Sequence, residues 1–150
     1  MVKFNPWGFL FLSIIMIPNI IFAIKNKEAF ENSIQKKWFK LLEIFEQIGR
    51  YGCFFCMMFN ISRTYFGFSS NFSFRIYLII NGILIFSYCL IWITHFRKNN
   101  LFRGISLSVI PSIIFLFSGI ISKSILLIIF AIIFAPCHIA ISVENQKILH

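Results

Sequence analysis

Four stretches of this chain run for about 19 to 21 residues without a charged side chain: Phe4–Ile24, Ile76–Phe96, Gly104–Ser122 and Ser124–Val143. A helix rises 1.5 Å per residue, so each run covers about 30 Å, the thickness of a bilayer's hydrocarbon core. A soluble fold offers no home for four such runs. The chain has 150 residues, 59% of them hydrophobic and 13% charged, whereas soluble domains are about a quarter charged. A small soluble domain leaves much of its surface exposed to water; lipid lets apolar side chains face outward. The expected fold is therefore all-α, an integral membrane bundle of five transmembrane helices in one domain, with spans at about 5–24, 41–61, 76–96, 104–121 and 124–143.

The first run lies between Lys3 and Lys25. No small-x-small cleavage site follows it, so it reads as a helix and not as a signal peptide. The last two runs must be separate helices. As one helix, Gly104–Val143 would extend about 60 Å, twice the bilayer core. A tight turn near Ser122-Lys123-Ser124 divides them.

The second span is the exception. Its charge-free run covers only Tyr51–Ser62, too short to cross. The helix must reach back through Arg50 and Glu46 to about Leu41. Before it, Phe30, Ile34, Trp38, Leu41 and Phe45 recur at helical spacing, the pattern of an amphipathic stretch lying on the membrane surface.

Lysine and arginine placement sets the expected topology. The first loop, third loop and C-terminal tail carry Lys25, Lys27, Lys36, Lys37, Lys40, Arg97, Lys98, Arg103 and Lys147. The other side carries Lys3, Arg63, Arg75 and Lys123. Nine against four puts the first set in the cytoplasm, the N-terminus outside and the C-terminus inside. Trp7, Trp38 and Trp92 fall near the expected interfaces, and the Arg63–Arg75 loop adds Tyr65, Phe66, Phe68, Phe72 and Phe74. The formal net charge of +9 follows from those loops. It points to anionic lipid headgroups and not to nucleic acid. The expected location is a cell membrane, bacterial inner or plasma, crossed several times.

Polar groups inside a membrane are costly and usually face a bundle's interior. Glu43, Glu46, Arg50 and Cys53 share one helix face by their spacing of three and four. Glu46 and Arg50 form an i,i+4 pair in the favourable order. Counted from the cytoplasmic end at 1.5 Å per residue, Asn19 sits roughly 9 Å deep, Arg50 roughly 13 Å, and Glu46 and His138 roughly 7 Å. Pro18, Pro111 and Pro136 all fall near roughly 10 Å. Each lacks an N–H and frees the carbonyl four residues earlier. Broken backbone at that depth is tolerated where protein packs it or a wet cavity lines it. The expected binding site is thus a cytoplasm-facing polar cavity built from Glu46, Arg50, Asn19, His138 and Glu43. It would bind or move a small solute, an ion or a lipid headgroup.

Two other functions are compatible with the residues. One is a non-catalytic accessory or protective subunit of a membrane complex, meeting a membrane-protein partner or a second copy through Ala131 and Ala135, a small-xxx-small contact. The other rests on Cys53-Phe54-Phe55-Cys56. A membrane helix bundle with this CxxC resembles the quinone-linked thiol oxidoreductases that make disulfides. The resemblance implies redox roles for Cys53 and Cys56. Those families place the motif near the outer surface and use a second cysteine pair in an exposed loop. Here the motif falls near mid-span, and the outer loops hold no cysteine. No phosphate loop, HExxH or paired Asp is present. No metal or cofactor is expected, and enzymatic activity is not the favoured reading.

Overall fold

The computed structural model describes residues 1–25, 37–96 and 100–148. Among these residues the chain forms five helices and two short strands: β1 Val2–Phe4, α1 Pro6–Lys25, α2 Lys37–Met58, β2 Phe59–Ile61, α3 Asn71–Thr94, α4 Leu101–Ile121 and α5 Ile125–Ile148. Phe30 and Ile34 of the expected amphipathic stretch lie outside the described residues. Trp38, Leu41 and Phe45 are exposed in the first turns of α2.

Local chemistry sets the helix ends. Asn5 precedes Pro6, and its Oδ1 accepts from Gly8 N at 3.3 Å. A capping amide followed by a proline whose missing N–H is not needed is a favoured helix start. Ser70 caps α3, accepting from Ser73 N at 3.2 Å, so α3 begins before the expected 76 and takes Arg75 into its first turns. The tight turn at Ser122-Lys123-Ser124 is present. Lys123 takes a left-handed conformation (φ 52°), and Ser124 N reaches back to Gly119 O at 2.8 Å. That wrap satisfies the last carbonyls of α4.

One element differs from the all-helical expectation. β1 and β2 pair antiparallel, Val2 with Ile61 and Phe4 with Phe59, so α2 ends at Met58 and not at 61. Three-residue strands are too short for a period-2 pattern to register. Tyr65 bridges to Ser124, and burial raises the pKa of its hydroxyl. These contacts gather the N-terminus, the 62–70 loop and the α4–α5 turn at one end.

The helices form a closed ring. α2 packs on α5, α5 on α4, α4 on α3, α3 on α1, and α1 on α2. Neighbours are antiparallel except α1 and α3, where the Phe11 and Tyr77 rings meet tilted with centroids 5.7 Å apart and Tyr88 donates to Asn19 at 2.8 Å. Cys53, Tyr77, Ile114, Phe115, Ala131 and Phe134 fill the interior. Ile79, Ile83, Phe86, Leu90 and Ile93 form an exposed stripe on α3, larger than a soluble surface ordinarily carries. Asn71–Thr94, Leu101–Ile121 and Ile125–Gln146 are long and apolar enough to cross a membrane. α1 carries no charged side chain before Lys25, and α2 carries Lys37, Lys40, Glu43, Glu46 and Arg50. The architecture is a helical bundle in which, among the described residues, three helices are long and apolar enough to cross a membrane.

Candidate functional site

The α2–α5 interface is close because glycine makes it so. A Cβ on Gly49 would lie 2.8 Å from both Cα and N of Phe134, and one on Gly52 would enter the Phe130 ring. Helix backbones approach this closely only over small residues. One turn from Gly49 along α2 comes Glu46, and one turn from Phe134 along α5 comes His138. The antiparallel register brings the two side chains together.

Glu46 is 2% exposed. Its Oε1 accepts a hydrogen bond from Arg50 Nη2, one turn along α2. The same oxygen meets His138 Nδ1 at 3.0 Å. An ionised carboxylate can only accept, so Nδ1 then carries the proton and Nε2 is the imidazole's acceptor. The His138 ring stacks on Phe134, with centroids 4.6 Å apart and planes at 21°, which fixes its orientation. Exposure of the side chains rises outward from the carboxylate, 3% at Glu46, 21% at His138 and 34% at Arg50.

Asn19 sits across the ring. Its Nδ2 donates to Ile15 O at 3.2 Å and its Oδ1 accepts from the Tyr88 hydroxyl at 2.8 Å. Arg50 is near enough to act electrostatically on that hydroxyl. Glu43 is half-buried, one turn before Glu46, and enters none of the ion pairs among the described residues.

Register places these groups at one level. Asn81 meets Ser118, and Arg103 meets the carbonyls of His95 and Phe96. Tyr88 therefore faces the Pro111 turn of α4. Gly119 adjoins Ile128 and Gly104 adjoins Gln146, so that same turn faces Cys137 and His138. Asn19, Tyr88, Pro111, His138 and Glu46 thus form one layer, with Pro18 and Pro136 beside it.

Several polar residues were not singled out by sequence. Asn81 is 0% exposed, and its Nδ2 donates to Ser118 Oγ at 3.1 Å. An amide in mid-run is the signal that marked Asn19, and it applies equally to Asn81. Arg103, counted as a loop cation, is buried. It donates from Nη1 to His95 O at 3.2 Å and Phe96 O at 3.1 Å, and lies 6.0 Å from the Trp92 ring centroid. Trp92 is buried in the bundle beside Arg103. Of the loop aromatics, Phe66 and Phe72 are exposed, whereas Phe68 and Phe74 pack on Tyr77.

Cys53 and Cys56 are free thiols, both buried. Ala131 is fully enclosed within the chain's own fold. Compared with known proteins, the chain matches no family model, no curated protein and no solved structure.

Proposed function

We propose that this chain crosses a cell membrane five times, N-terminus outside, and that Glu46, Arg50 and His138, with Asn19 and Glu43 beside them, bind or move a small solute, an ion or a lipid headgroup from the cytoplasmic side. One observation carries the reading: a buried carboxylate holds an arginine of its own helix and a histidine of the facing helix on a single oxygen. Intramembrane ionisable groups are expensive, and such clusters mark substrate and ion paths. Arg50 and His138 are only partly buried, so the cluster is not sealed inside the bundle.

The five-span count is supported by length. α1 has 20 residues and α2 has 22, enough for about 30 Å each. Glu46 and Arg50 neutralise each other, which lowers the cost of taking α2 into lipid. The loop charges supply the orientation.

The test is complementation. Arg50→Ala and the double variant Glu46→Ala/Arg50→Leu should insert and accumulate yet fail to rescue the phenotype of a strain lacking the protein. Full rescue by both variants would sink the proposal.

A further inference from the structure

We infer that the ion handled by the Glu46–Arg50–His138 cluster is the proton, exchanged at His138 and relayed to Glu46. This rests on the binding reading above and names its ligand.

The donor set decides among small ions. A metal ion needs three or four converging ligands, and among the described residues no group of three His, Cys, Asp or Glu side chains offers them. An organic cation would meet a carboxylate whose charge Arg50 already balances. An anion would meet Glu46 itself. A proton needs only one donor and one acceptor at hydrogen-bond distance, and Nδ1 of His138 stands 3.0 Å from Oε1 of Glu46.

The relay balances with one proton in and one proton on. With Glu46 ionised, Nδ1–H donates to Oε1 and Nε2 holds a lone pair. A proton arriving at Nε2 makes the imidazolium. The Nδ1 proton then passes to Oε1, leaving a neutral carboxyl and the Nε2–H tautomer. The carboxyl then gives its proton to a water molecule, which restores the carboxylate, and exchange of the ring protons with water, lost at Nε2 and gained at Nδ1, returns the starting tautomer. Arg50 keeps its charge throughout and anchors the receiving oxygen, and the Phe134 stack holds the ring in line.

Other charged or titratable groups near His138 come from each neighbouring element. α2 contributes Glu43, Glu46 and Arg50. α5 itself contributes Cys137, on which Glu46 acts, and Glu144 further along. α4 has one charged side chain, Arg103, at the carbonyls closing α3. Glu46 is the acceptor in hydrogen-bond contact with the imidazole.

The experiment uses the full chain reconstituted into liposomes that enclose a pH-sensitive dye, with a potassium gradient and valinomycin setting the potential. Wild-type protein should move protons well above empty vesicles. Glu46→Gln and His138→Gln should return the flux to that background, while the outward-facing Ile83→Ala keeps it. Each variant is first shown to elute like the wild type; if Glu46→Gln does not, His138→Gln alone decides. Wild-type flux at background, or flux undiminished in His138→Gln, overturns the proton assignment. Complementation separates the two levels. Variants that fail to rescue alongside a wild type without flux would leave a binding site whose ligand is not the proton. Variants that rescue fully would remove the site as well.

Discussion

Glu46 on α2 and His138 on α5 lie 92 positions apart in the chain and meet at 3.0 Å. Neither side chain reaches the other unless α2 and α5 pack backbone to backbone. That approach depends on Gly49, one turn from Glu46, seated against Phe134, one turn from His138. Packing and site are therefore the same interface read at successive turns.

Gly49→Leu should separate α2 from α5. Its Cβ would meet main-chain atoms of Phe134 at 2.8 Å, which cannot rotate aside. A loss of about 1–3 kcal/mol is expected from such overpacking. Gly82→Leu is the matched control, since a Cβ there meets nothing within 4 Å. Thermal unfolding in detergent compares them; equal midpoints would refute the close-approach account.

Glu46→Ala should be less stable than the double variant Glu46→Ala/Arg50→Leu. The single change strands a guanidinium in the bundle, at about 2.5–3.5 kcal/mol on insertion scales. The double change removes that charge. Steady-state levels and unfolding midpoints should rank wild type and the double variant above the single. A double variant worse than Glu46→Ala would mean that Arg50 is stabilised by something other than Glu46.

Much of this architecture was legible in the lengths of the uncharged runs. Charge-free length alone located α1 and α4 closely, missed the start of α3 and the end of α5 by more than a turn, and the shortness of Tyr51–Ser62 required α2 to carry Glu46 and Arg50. The contact of Glu46 with His138 was not legible. Shared depth suggested a common level, but which way each helix faces is set by close packing at Gly49 and Gly52, and that is a tertiary property. The β1–β2 pair was hidden because its strands are three residues long. Arg103 was misplaced for a related reason. A loop cation and a helix-capping cation look alike in sequence; only the position of the α3 carbonyls separates them.

Asn81 and Ser118 should be energetically coupled. They exchange hydrogen bonds between α3 and α4 at 3.1 and 3.4 Å, fully buried. Interhelical hydrogen bonds in membranes average about 0.6 kcal/mol and reach about 1.7. A double-mutant cycle with Asn81→Leu and Ser118→Ala should return a coupling in that range. A coupling of zero would show that the contact does not join the helices.

Membrane sidedness has a direct readout. In a background with the four native cysteines replaced, Arg63→Cys should react with an impermeant maleimide on intact cells. Asn100→Cys should react only after permeabilisation. The reverse pattern would invert the topology, and labelling of both from outside would break the five-span count.

The central claim is that Glu46 and His138 form one hydrogen-bonded unit inside the membrane. Solid-state NMR on the full chain in lipid bilayers tests it through recoupling between the Glu46 carboxyl carbon and the ring Nδ1 of His138. A strong cross-peak is predicted, as a 3.0 Å nitrogen-to-oxygen contact requires, together with its loss and a changed His138 ring shift in Glu46→Gln. No cross-peak in the wild type, with a His138 ring indifferent to Glu46→Gln, would contradict the account.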